Sequence, residues 1–145
     1  MNMAEIRKLK ARADFVPLEI ESGDEFYPNG IFEFNITKLA RYIKESPDKF
    51  RPEPVNIGDF AGEFSSINEP HMESALSTEP VIIAEISPGR YNLIDGNHRM
   101  EQARRRGEKT IMGYKIGPRD HMRFITTKKG YSAYIEYWNE KIDQT

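Results

Sequence analysis

The pattern of apolar and polar positions predicts its clearest architecture from Val81 onward. Val81 to Ile86 is a β-branched run, Ser87-Pro88-Gly89-Arg90 carries turn chemistry, and Tyr91 to Ile94 reads as a second strand, so the pair predicts a hairpin. A helix is expected over Met100 to Arg106, with Met100 and Ala103 on one face and Gly107 placed to end it in the left-handed conformation. Thr110 to Ile116 reads as a third strand and Gly117-Pro118 as a turn. From Tyr131 to Ile142 the spacing of Tyr131, Tyr134, Ile135 and Trp138 predicts an aromatic C-terminal helix packed on one face.

The first half of the chain is less regular. Met3 to Phe15 suits either a short helix or a frayed arm, and Phe15 to Ile20 alternates in strand fashion until Gly23 breaks it. Asn29-Gly30 signals a turn, and Ile31 to Ile36 reads as a strand interrupted by Glu33 and Asn35. Thr37 is placed to cap a helix carrying Leu39, Ala40 and Ile43 inward until Ser46-Pro47 stops it. Residues 52–80 are rich in Pro, Gly, Ser, Asn and Glu, which suits a substrate-facing loop or plain solvated irregularity, with short elements at Asn56 to Phe60 and Met72 to Leu76. These elements make a mixed α/β (α+β) fold with a small mixed sheet: a single domain over 1–145, core 81–116, C-terminal helix 131–142.

Composition narrows the chemistry. The 145 residues contain no cysteine, which removes disulfides, thiolate metal sites and a cysteine nucleophile. The net charge of -2 conceals an asymmetry: residues 81–145 hold 12 Lys+Arg against 8 Asp+Glu, while those before hold 9 against 15. So small a surplus does not mark a nucleic-acid protein, but it suits a phosphorylated ligand. Neither a signal peptide nor a run of membrane-spanning length is read in the sequence, so a cytoplasmic protein is expected.

Between the predicted hairpin and helix stand Asp95, Gly96, Asn97, His98 and Arg99. A strand-to-helix turn directs backbone N–H groups without intrahelical partners outward, and Gly96 removes the Cβ that would block close approach. Asn97 can donate through its amide, His98 through its imidazole and Arg99 through a planar guanidinium suited to phosphate oxygens, while Asp95 accepts from a hydroxyl or a metal-bound water. Asp-Gly after a strand is also an ordinary turn. Two potential cations in the first turn of a helix nevertheless oppose its dipole by a few tenths of a kcal/mol, a penalty an anion removes.

The stretch Tyr91 to Ile116, YNLIDGNHRMEQARRRGEKTIMGYKI, resembles the core of the ParB/sulfiredoxin superfamily, in which a strand enters a Gly-x-x-Arg turn, a helix with small residues, and a strand after a Gly. The resemblance implies a ParB/sulfiredoxin-like fold. Sulfiredoxins carry Gly-Cys-His-Arg at this turn; Asn97 stands at the cysteine position, which excludes their reductase chemistry. ParB partition proteins carry Gly-Glu-x-Arg, bind CTP and continue into DNA-binding and dimerisation domains, which are not expected in the residues up to Thr145. Free serine kinases carry a closely similar Asp-Gly-x-His-Arg turn and phosphorylate a small hydroxyl substrate. Stand-alone ParB-like nuclease domains share the pattern as well.

Carried onto this sequence, the resemblance assigns phosphate holding to Gly96, Asn97, His98 and Arg99, with ATP, ADP or CTP as the nucleotide. Asp95 matches the acidic position, and Asp95 and His98 become catalytic candidates. Glu33 is a candidate base, although alternation alone makes it an outward strand residue. Mg²⁺ would rest largely on nucleotide phosphates with one carboxylate, Asp95. A zinc site is not expected, because His71, His98 and His121 lack paired ligand spacing.

Arg104, Arg105 and Arg106 invite a nucleic-acid reading, but cations in a last helical turn favour the dipole unaided. Lys115, Arg119, Arg123, Lys128 and Lys129 make an anionic partner conceivable only if folding gathers them. The expectation is therefore a nucleotide- or phosphate-binding protein, as a small-molecule kinase or nucleotide hydrolase. The alternatives are a ParB-like nuclease or DNA-binding accessory domain, and a non-catalytic nucleotide-sensing or protein-interaction module.

Overall fold

The structure is a computed structural model that describes residues 7–63 and 79–144. Strands β1 (Phe26–Asn29) and β2 (Phe32–Asn35) form an antiparallel hairpin around Gly30, whose φ of 64° is natural to glycine. Helix α1 (Ile36–Lys44) follows directly, then β3 (Glu53–Asn56) and a 3-10 segment over Ile57–Glu63. After β4 (Val81–Ser87) and β5 (Arg90–Asp95) come α2 (Asn97–Arg105) and β6 (Thr110–Ile116). A short helix α3 (Pro118–His121), a 3-10 turn (Met122–Phe124) and the long helix α4 (Lys128–Asp143) complete the described chain. The fold is mixed α/β.

The main sheet has the order β3-β6-β4-β5, with β4 parallel to β6 and the other pairs antiparallel. β4 is flanked on both sides and buried at all seven positions, which explains its largely apolar sequence, interrupted by Glu85 and Ser87. Its side chains alternate between two cores. Ile82, Ala84 and Ile86 pack with Leu39 and Ile43 of α1, Phe32 and Phe34 of β2, and the α4 aromatics. Val81 and Ile83 pack on the other side with Leu93, Val55, Ile57 and Phe60, and with Met100 and Ala103 of α2. Met100 and Ala103 are fully buried, and a side chain such as Met100 contributes about 1.5–3 kcal/mol, so these two residues pin α2 while its polar first turn is only partly buried.

Several expectations are corrected. Phe15 to Ile20 forms no strand: Val16, Leu18 and Ile20 are exposed, because alternation without a partner edge makes no ladder. The strand lies further on, at β1. Residues 7–15 are not helical either. This segment lies along α4, where Leu9 N–H donates to Asn139 Oδ1 (2.7 Å), Asn139 Nδ2 donates to the Leu9 carbonyl (2.9 Å), Trp138 Nε1 donates to the Arg7 carbonyl (3.0 Å), and Phe15 stacks on Tyr131. Backbone groups satisfied by a distant helix have no need of a local one. The predicted strand Ile31 to Ile36 is shorter at both ends, since Ile36 already belongs to α1.

Asn35, not Thr37, caps α1. Its extended backbone lets its side chain accept from Lys38 N–H, while the Thr37 hydroxyl accepts from Glu25 N–H at 2.8 Å. The expected loop over 52–80 contains edge strand β3, where Pro54 is tolerated, and a 3-10 turn where the sequence suggested Asn56 to Phe60; Met72 to Leu76 lies outside the described residues. The C-terminal helix begins three residues before Tyr131, with Thr127 as its cap, and Tyr131, Tyr134, Ile135 and Trp138 are buried as expected.

Candidate functional site

Asp95 ends β5 opposite Ile82, and the next residue turns the chain into α2. Gly96 sits at φ 102°, a region L side chains avoid, and a Cβ built on it would fall 2.6 Å from Val81 Cγ1 and 2.9 Å from Arg99 Nη2. Conformation and packing both require glycine there. The helix starts at Asn97, three residues earlier than the apolar spacing suggested, because its first turn, Asn97 to Arg99, is entirely polar and carries no apolar period. Gly96 provides no side-chain cap. Met100 N–H is bonded to the Gly96 carbonyl at 3.0 Å, so the N–H groups of Asn97, His98 and Arg99 precede the intrahelical ladder.

Around these amides the side chains fall into two groups. Arg99 turns back across the junction: its Nη2 donates to Asp95 Oδ2 at 3.4 Å and to the Pro80 carbonyl at 3.3 Å. Both contacts are at the long limit of a hydrogen bond. Its Nε is buried with no partner among the described residues, and so is Asn97 Oδ1. Such orphaned atoms cost about 1–3 kcal/mol each unless something meets them. Asn97 thus brings an acceptor inward as well as the donor its amide group offers. His98 stands beside them, partly buried, in the same turn.

Asp95 also borders a cavity of about 130 Å³ on the α1 side of the sheet, walled by Ala40, Ile43, Ile82 and Tyr114. Lys44 lies at this cavity and is paired with Glu79 at 3.2 Å. The pentad therefore stays together as one turn, with a small apolar recess beside its carboxylate. Sequence reading missed the recess, Pro80 and Val81, since α1 and the start of β4 reach this corner only through the fold.

Glu33 is placed elsewhere. It lies on β2 in the two-stranded sheet, and the Thr126 hydroxyl donates to its Oε1 at 2.9 Å. Among the described residues no three His, Asp or Glu side chains converge as a metal-binding group, so a Mg²⁺ ion here would depend on ligand phosphates and Asp95. His121 is fully buried; its Nε2 donates to the Glu85 carbonyl at 2.8 Å, and burial pulls its pKa down to about 4. The Tyr134 hydroxyl donates to the same carbonyl at 2.7 Å, and burial raises its pKa. Both are structural groups of the first core.

Most of the basic residues singled out in the sequence are engaged locally. Arg104 and Arg105 pair with Glu101, and Arg106 with Glu108. Lys115 pairs with Glu53 and stands over the Tyr91 ring, whereas Arg123 stands over Tyr42 and donates to the Arg119 carbonyl. Among the described residues no helix is long and apolar enough to cross a membrane. No protein-family model, curated protein or solved structure matches this chain.

Proposed function

We propose that the turn from Asp95 to Arg99 binds a nucleotide or another phosphorylated ligand, as the resemblance to the ParB/sulfiredoxin superfamily implies. The observation that carries this reading is the uncapped first turn of α2: three consecutive amides opening from a left-handed glycine, flanked by the buried, unpartnered Arg99 Nε and Asn97 Oδ1. The amides and guanidinium offer donors to phosphate oxygens, and Asn97 Oδ1 suits a hydroxyl or ring N–H of the same ligand. A phosphate would relieve the opposition between Arg99 and the helix dipole and share the guanidinium with Asp95.

Phosphoryl transfer asks the protein for positioning and charge neutralisation, which this turn supplies, and Asp95 beside a small recess is where an acceptor hydroxyl would lie. In that enzymatic form the protein is a small-molecule kinase or nucleotide hydrolase, with Mg²⁺ brought by the nucleotide. A second reading, a nucleotide-binding module without catalysis, is favoured by the engagement of both carboxylates: Asp95 with Arg99, and Glu33 with Thr126 on the other sheet. The nuclease or DNA-binding alternative gains little from arginines paired along their own helix.

Thermal unfolding with ATP, ADP, CTP or GTP, each with and without Mg²⁺, tests the shared claim. A ligand at 100 times its Kd stabilises by about 2.7 kcal/mol, so one nucleotide is expected to raise the Tm by several degrees. No rise with any of them contradicts nucleotide binding. Turnover of a labelled nucleotide, lost in His98→Ala while the Tm rise persists, separates enzyme from module.

A further inference from the structure

At the far end of the β4–β5 hairpin from the pentad, the turn of the β1–β2 hairpin and helix α4 line an open cavity of about 430 Å³. Its walls combine two chemistries. Phe32, Ile86 and Tyr137 give an apolar floor and side, while Asn29, Arg90 and Asn92 bring amides and one guanidinium. Tyr137 is the α4 aromatic that stays out of the core: it is 37% exposed, whereas Tyr131, Tyr134 and Trp138 are buried. Lys141 holds its ammonium 5.3 Å from the Tyr137 ring, adding a second cation near this wall.

Two features distinguish this cavity from a packing gap. Asn29 Nδ2 is buried and has no hydrogen-bond partner among the described residues. Arg90 is exposed at the rim, no described residue pairs with its guanidinium, and no carboxylate is among the described residues of the wall. An exposed guanidinium at the rim, with no carboxylate beside it on the wall, suits an acceptor carrying negative charge, and the aromatic wall suits an apolar body attached to it.

We propose that this cavity is a second ligand site, separate from the Asp95–Arg99 turn, that takes a small organic carboxylate with an aromatic or aliphatic body. The carboxylate meets the Arg90 guanidinium beside Asn29, and the apolar portion lies against Phe32, Ile86 and Tyr137. The planar fork of arginine matches a carboxylate in two-point contact, and Asn29 fixes which end enters. The volume falls in the range that holds metabolite-sized ligands.

The test is an NMR titration of the full chain with phenylacetate and, in parallel, with neutral phenylacetamide. Phenylacetate is expected to shift the Asn29 side-chain amide and Arg90 Nε–H saturably below about 20 mM, with the amide at least about tenfold weaker. Arg90→Gln is expected to raise the Kd at least about tenfold, and Arg99→Ala to leave it unchanged. Inorganic phosphate is not expected to displace phenylacetate. Equal or tighter binding of phenylacetamide overturns the charge argument, and displacement by phosphate overturns the carboxylate assignment. Shifts centred on Asn97 to Arg99, or no saturation, overturn the site itself.

Discussion

Two strand-to-helix junctions in this protein are built in opposite ways. Where β2 meets α1, Asn35 accepts from Lys38 N–H and donates to Asp24 Oδ2, Thr37 accepts from Glu25 N–H, and the junction satisfies itself. Where β5 meets α2, Gly96 has no side chain to cap with, the three following amides precede the ladder, and two polar atoms nearby are buried without partners. The first junction is an interior solution to the helix-end problem; the second shows no such solution among the described residues. The contrast is informative because the same element order produces both. What differs is the residue at the cap and how closely the next strand presses on it.

The largest effect is expected from forcing a side chain into the open junction. Gly96→Ala must place a Cβ at positive φ and against Val81, which is expected to cost about 2–4 kcal/mol in urea unfolding. Val81→Ala in the Gly96→Ala background removes the Cγ1 contact but leaves the Val81 Cβ at 2.9 Å and the backbone strain, so most of the penalty should remain, together with the lost Val81 packing. Full tolerance of Gly96→Ala would show that the junction is looser than described.

A sealed polar group gives the next effect. His121 is buried and neutral, with its folded pKa lowered to about 4 against 6.5 unfolded. The unfolded chain therefore binds the extra proton first as pH falls. Stability from this group is complete above about pH 6.5 and declines toward pH 4, by about 3 kcal/mol in all. Urea midpoints from pH 7 to pH 4 are expected to converge for wild type and His121→Gln, and parallel curves would refute the assignment.

At the self-satisfied junction, Asn35→Ala removes the cap and leaves Asp24 short of a donor, an expected loss of about 1–2 kcal/mol with no effect on nucleotide response. The smallest stability effect belongs to Arg99→Ala. Its pair with Asp95 is long and partly solvated, so unfolding is expected to change by no more than about 1 kcal/mol. The Tm rise with nucleotide should fall sharply in the same variant. An unchanged rise would remove Arg99 from the site.

The contrast between the junctions also marks what could be read from sequence. β4, the turn at Gly89, β5, β6 and α4 were legible because each has a long apolar period and Gly or Pro punctuation. β1 and β3 were not: each is four residues long and contains a proline, and their identity comes from the strands they pair with. Phe15 to Ile20 had the right alternation and no partner. The pentad was legible as a turn, since Asp-Gly before a polar first turn is a local signal. That α2 begins at Asn97, that Arg99 folds back onto Asp95 and Pro80, and that Val81 excludes a Cβ at Gly96 all depend on β4 packing beside the turn, which no local pattern encodes.

Titrating the ¹⁵N-labelled protein with Mg²⁺-ATP, with inorganic phosphate alongside, tests most directly whether the uncapped junction is the anion site. Saturable shifts in the backbone amides of Asn97, His98 and Arg99, with those of Thr37 and Lys38 unmoved, are the expected result. Amides at both junctions that move together, or neither moving at saturating ligand, would contradict it.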